Sequence, residues 1–377
     1  MTSEQAQYVY DPAKDPYAVP RNEAAVQNIL NTISDQSEQL DAITEARGVW
    51  RVDKEVPDIV SAYLTDDTSL EATAERLAAP IEESYMSADD GAMLWEMEMT
   101  ARACRPLCIS RDELLEFWGE PVAMCEPDPS GDQYNSTAGR LSRLWLGLDH
   151  VSKKTPWADD ESGRMLKLVR LVQTLKIRPN PPLPEATTPA LRNDWVWKTG
   201  KLWSDLTLLG PSMCDSWNDA PGGTMGFTEV EVKAWERENA FVAHLTATGT
   251  ACYINYGLWA MRDALEGGIA RINQLRWTPK MKEKLFEVTL GVVVVWLSIA
   301  GKEIYQSGIE TTVGPAALEE SEVLPTGRTS TEISWVLWKK RLAKYTQDEK
   351  LSALSRSYAV RSSMEMQRLE EAYGETH

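Results

Sequence analysis

The side chain best suited to moving a proton in this sequence is His244, because an unperturbed imidazole titrates near neutrality. A histidine becomes a general base when a carboxylate orients it. Two carboxylates could play that part, Asp215 from a preceding loop and Asp263 from the following helix. Glu236 stands eight residues before His244, about 80° away around a helix at about 100° per residue, which disfavours contact along that helix. Asn239 adds an amide beside Glu238, and both fall inside an apolar stripe with Trp235 and Val242. Asp215, Asn239, His244 and Asp263 therefore form the candidate catalytic set. Cyclisation, dehydration or isomerisation needs little more than positioning and one acid or base. The competing reading is structural: a histidine beside a core, and a polar pair that must find partners because it is buried.

Aromatic residues crowd the same region. Trp203, Trp217, Trp235, Tyr256 and Trp259 are the candidate ligand-binding residues, since an aromatic wall with few polar groups suits a small apolar or aromatic molecule. The chain has fifteen tryptophans, and large rings filling helix junctions explain that number equally well.

Familiar cofactor and nucleophile chemistries lack their motifs. There is no G-x-S-x-G elbow, no G-x-G-x-x-G in a βαβ setting and no P-loop, so no nucleotide or flavin cofactor is expected. The three histidines are His150, His244 and the terminal His377, and no H-E-x-x-H occurs. Cys104 and Cys108 are four apart but lack a second pair at metal spacing, so no metal is expected either. With Cys125, Cys214 and Cys252 the cysteine count is odd, and no disulfide framework follows.

The charge balance narrows the partners. A net charge of -18, from 57 acidic and 39 basic residues, repels phosphate backbones and anionic headgroups, so neither nucleic acid nor membrane is expected. No basic-then-apolar leader opens the sequence, and a cytoplasmic location is expected. The most apolar run, Leu290 to Ala300, is about half a bilayer span and reads as the most buried core helix.

The elements that must position these residues are helical. Val26, Ile29, Leu30, Ile33, Leu40 and Ile43 recur at helical spacing up to Gly48. Thr68 to Tyr85 follows, with Pro80 bending or ending it. Asp89 or Asp90 caps a helix stopped by Pro106, and Ser110 with Glu113 is a capping box. Helices over Ala138–Leu148 and from Asp159 or Asp160 to about Leu175 come next. Thr228 with Glu231 and Thr346 with Glu349 make further capping boxes, and Thr278-Pro279 is a helix start. The spacing thus predicts an all-α, irregular multi-helix globular fold. Residues 1–20 read as a polar extended arm and residues 21–377 as one helical domain, with two subdomains meeting at the proline-rich loop 179–189 as the other possibility. Tyr358, Met364 and Leu369 on the C-terminal helices allow a homo-oligomer.

Leu202-Trp203-Ser204-Asp205-Leu206-Thr207-Leu208-Leu209-Gly210-Pro211-Ser212-Met213, followed by Asp215-Ser216-Trp217, resembles a stretch of the uncharacterised fungal family called domain of unknown function 3632. Trp235 to Leu245, Tyr256 to Glu266 and Trp296 to Gly301 resemble further motifs of that family. The likeness covers roughly Thr68 to Tyr305. Two positions depart from it: Cys214 stands where arginine is expected and Thr207 where proline is typical. The resemblance implies a helical intracellular protein of filamentous fungi, some members lying beside secondary-metabolite genes. It transfers no catalytic residue. The expected function is binding of a small apolar ligand or protein partner without catalysis. The alternative is a cofactor-independent cyclase, dehydratase or isomerase of fungal secondary metabolism.

Overall fold

The computed structural model describes residues 22–49, 54–87, 136–158, 163–184, 196, 199–267, 272–273, 275, 277–306 and 330–373. The arm at 1–20, the Asp89 and Ser110 helix starts, the Asp159 cap, Cys104, Cys108, Cys125, Trp195, Trp197, His377 and most of the loop before Ser330 lie outside them. Among the described residues every regular element is helical. Twelve helices lie within the described residues: α1 (Glu23–Thr32), α2 (Gln36–Arg47), α3 (Glu55–Leu64), α4 (Leu70–Ser87), α5 (Thr137–Lys154), α6 (Arg164–Ile177), α7 (Leu209–Trp217), α8 (Glu229–Ala247), α9 (Ile254–Leu265), α10 (Pro279–Gln306), α11 (Ser330–Gln347) and α12 (Ala353–Tyr373). The only extended pairing in this set is an isolated bridge, Pro221 with Met225. The all-α class expected from spacing is the class observed.

The chain forms two compact units, Met1–Trp50 with Asp219–His377, and Arg51–Asn218. The first is built on α10, which packs against α8, α9 and α12. Its valine run is apolar on every side, and a helix of that kind must be covered on every side. By length and composition α10 would suffice to cross a bilayer, and 72% of its most apolar window is buried. Ala300 leaves helical geometry (φ -116°, ψ 24°) and kinks the helix near its end.

Three helix starts in this unit follow from local chemistry. Thr228 and Glu231 form the expected capping box on α8, and the Thr278 hydroxyl accepts the Met281 N–H ahead of Pro279. Asp35 caps α2 through the Glu38 N–H, dividing the long N-terminal periodicity into two helices. The expected Thr346 box is corrected by the structure. Helix α11 continues through Thr346, whose hydroxyl bonds back to the Ala343 carbonyl. Ser352 caps α12 instead, accepting the Ser355 N–H.

In the second unit, α5 packs against α3, α4, α6 and α7. Gly147 allows α3 to approach closely: a Cβ there would lie 2.5 Å from Val56 Cγ1. Pro80 sits inside α4 without ending it. Its missing N–H leaves the Arg76 carbonyl without its helical donor. Leu206 and Leu208 both adopt left-handed backbone (φ 47° and 65°), which is uncommon for a branched side chain. The turn is held by the Trp145 indole, which donates to the Thr207 carbonyl at 2.7 Å, and by the Thr207 N–H, which donates to Leu202. That last bond is one a proline at 207 could not make.

Candidate functional site

The four acid–base candidates differ in their surroundings. Asp215 is exposed on α7 of the second unit, and Asp263 is exposed on α9 of the first. His244 is half-buried in the last turn of α8. Burial alone pushes its pKa down, so it is neutral near pH 7, and no described carboxylate influences it. Asn239 is fully buried and already engaged: its amide donates to the Trp235 carbonyl and its Oδ1 accepts the Trp296 indole N–H, both at 2.9 Å.

The aromatic candidates also divide. Trp203 is fully buried in the second unit and its indole donates to Glu82 Oε1 at 2.7 Å. Trp217 and Trp235 are half-buried. Tyr256 meets Tyr253 and Trp259 edge-on, with centroids 5.7 and 5.1 Å apart. Trp259 itself is 48% exposed. The Trp145, Trp203, Trp296, Trp335 and Trp338 indoles each donate to a specific internal acceptor. For these five the ring fills a helix junction and its polar edge is satisfied there.

Two polar clusters that sequence reasoning missed join distant segments. In the second unit, Ser216 donates to Asp149 Oδ2 and accepts from Lys153 Nζ, both at 2.7 Å, while Lys153 pairs with Asp149 at 2.9 Å. Ser216 and Asp149 are both 2% exposed, so the trio staples α5 to α7 and leaves little access to the hydroxyl.

In the first unit, Tyr358 on α12 donates to Glu236 Oε1 on α8 at 3.3 Å. Gly291 of α10 makes room, since a Cβ there would stand 2.8 Å from that oxygen. Burial raises the Glu236 pKa above 4.5, outweighing Tyr358, Arg237, Lys233 and Arg361, which lower it. Burial, with the Glu236 charge next, pushes Tyr358 up to about 12. A carboxyl with a raised folded-state pKa favours folding when protonated, so its effect on stability worsens as pH rises through the raised pKa. Glu236→Gln is therefore expected to stabilise the protein at neutral pH by about 1 kcal/mol. The gain should vanish below about pH 4. Urea melts at the two pH values check this, and an equal gain at both would refute the assignment.

A concavity among the described residues lies in the second unit, where α3, α4 and α5 meet. Its apolar walls are Val56, Ile59, Leu77, Ile81 and Leu144, with Pro80 beside them. Four charged residues complete it: Glu55, Arg76, Arg140 and Arg143. Leu77 and Ile81 are four apart on α4, and Arg140, Arg143 and Leu144 share one side of α5. The same spacing also marks ordinary core and surface, so no local signal singled these residues out. Among the described residues no three His, Cys, Asp or Glu side chains cluster as a metal site requires.

The molecule is thus an all-helical protein of two units, one of which carries a small groove walled by apolar side chains and edged by arginines. Residues 145–342 match the model of a family described as a protein of unknown function (DUF3632). The match spans more than half of the 377 residues, and the chain belongs to that family. No curated protein matches it, and no solved structure does.

Proposed function

We propose that this protein binds a small apolar molecule without converting it, in the groove between α3, α4 and α5. The observation that carries this reading is the groove's wall. Five apolar side chains from three helices line it together with a proline, and this is the composition that small-molecule sites favour. The cyclase, dehydratase or isomerase alternative has weaker support, because Asp215 and Asp263 are exposed and Asn239 is committed to Trp235 and Trp296. A cytoplasmic setting and a place beside secondary metabolism remain compatible with a binding role and are part of the proposal.

Pro80→Trp is the test. It removes an unfavourable helix-interior proline while placing a large ring at the groove. The neutral fluorophore N-phenyl-1-naphthylamine should bind the native protein, and the variant should keep its helicity yet bind at least roughly tenfold more weakly. Unchanged binding in a folded Pro80→Trp protein would remove the groove as the site.

A further inference from the structure

We infer that the ligand of this groove carries an anionic head on its apolar body, a carboxylate or a phosphate monoester read by Arg76, Arg140 and Arg143. The inference rests on the binding role proposed above and names the chemical class of what is bound.

The charge pattern points to it. Three of the four charged lining residues are arginines, in a chain whose net charge is -18. A random sample of this surface would be acidic. Glu55 is the single lining carboxylate against three guanidinium groups, so the groove is a cationic spot in an acidic protein. Guanidinium is the group best matched to carboxylate and phosphate, because its planar fork donates two parallel hydrogen bonds.

The three arginines do not stand alike. Arg140, Arg143 and Glu55 take part in further polar or electrostatic interactions, so an incoming anion shares them. Arg76 is exposed on α4, four residues before Pro80, and neither an ion pair nor a hydrogen bond engages its side chain among the described residues. Val56 and Pro80, the partly exposed apolar members of the lining, supply the complementary half of the site, a contact for an alkyl chain or ring. Together these select an apolar-tailed anion over a neutral hydrocarbon, and strongly over an apolar-tailed amine.

Displacement of N-phenyl-1-naphthylamine from the intact protein tests this. The competitors are dodecanoate, dodecyl phosphate, dodecanol and dodecylamine, with the same tail and different heads. Dodecanoate or dodecyl phosphate should displace the probe at a concentration roughly tenfold below that of dodecanol, with dodecylamine the weakest. Added salt should narrow that gap. Arg76→Gln, which alters an exposed side chain and leaves the core intact, should weaken the anions several-fold and leave dodecanol unchanged. Arg76→Gln combined with Arg143→Gln should bring the anions level with the alcohol. If Pro80→Trp abolishes probe binding yet the anions compete no better than dodecanol, the groove stands as a binding site and the anionic head is wrong. Probe binding that survives Pro80→Trp overturns the binding site and this inference with it.

Discussion

Trp296→Ala is expected to lower stability by about 5 kcal/mol, the upper end for loss of a buried aromatic. Trp296 is fully buried in α10, the helix around which the first unit is built. Its loss opens a cavity where α8 and α9 converge on α10. It also strips Asn239 Oδ1 of the indole N–H, and Asn239 has no exposure to water that could replace that donor. An orphaned buried acceptor adds about 1–3 kcal/mol to the cavity cost. Since domains of this kind are stable by about 5–15 kcal/mol, the variant should sit near its unfolding midpoint at ambient temperature. Trp296→Phe still orphans Asn239 Oδ1 but keeps most of the volume, so it should cost less.

A companion change separates packing from helix propensity. Gly257 of α9 lies against the same indole, and a Cβ there would be 2.6 Å from Trp296 Cε3. Gly to Ala inside a helix ordinarily stabilises by about 0.5–1 kcal/mol. Here the ring is locked by its hydrogen bond to Asn239 and cannot retreat, so Gly257→Ala is expected to destabilise. Thermal melts of the three variants check the series. A stabilised Gly257→Ala would mean that the ring has room to move.

Arg47→Met is expected to cost about 3–5 kcal/mol, the range for breaking a buried ion pair by removing one partner. Arg47 Nε donates to Glu231 Oε1 at 2.8 Å, and each residue is 1% exposed. Glu231 also accepts from the Gly226 N–H and completes the Thr228 box. Removing the arginine leaves a carboxylate in a dry site. The rescue follows from the same contacts. Glu231→Gln discards the charge and keeps one acceptor oxygen, for the Gly226 N–H or for the Thr228 N–H, which reach different oxygens of the carboxylate, so Arg47→Met with Glu231→Gln should recover part of the loss.

The pH dependence has a definite sign. Burial pushes the Glu231 pKa up, but the Arg47 hydrogen bond and charge, with Gly226 and Thr228, bring it below 4.5 overall. The pair's stabilisation is therefore present above the unfolded value and lost as pH falls through the lowered folded value. In Arg47→Met the cation is gone and burial dominates, so mild acid should relieve the variant instead of harming it. Urea titrations of both proteins across the acid range measure this, and parallel curves would refute the pairing.

Much of the secondary structure was legible because its causes are local. The Thr228–Glu231 box and the Thr278-Pro279 start involve neighbours three or fewer residues apart, and both are formed as read. The run from Leu290 to Ala300 declared its burial through composition alone. Local patterns are also permissive, which is why Thr346 with Glu349 misled. Packing between α11 and α12 carries the helix past that threonine, and its hydroxyl turns back along the chain.

The candidate site was far less legible. Asn239 and Trp296 are 57 residues apart, and Arg47 and Glu231 are 184 apart. Periodicity placed Asn239 on an apolar face without naming the indole that would occupy it. His244 and the two aspartates looked convergent in sequence, yet the aspartates face water because the apolar neighbours on α7 and α9 take the buried sides of those helices. The groove is the clearest case. Leu77 and Ile81, Arg140 and Arg143, and Val56 and Ile59 each look like an ordinary helix pair, and only the meeting of α3, α4 and α5 makes them one surface. The sequence by itself determined that the chain is helical and where several helices begin, because capping and periodicity act within a turn. Tertiary structure alone decided which polar groups are satisfied and which side chains line a groove, because those depend on side chains that meet only when distant helices pack.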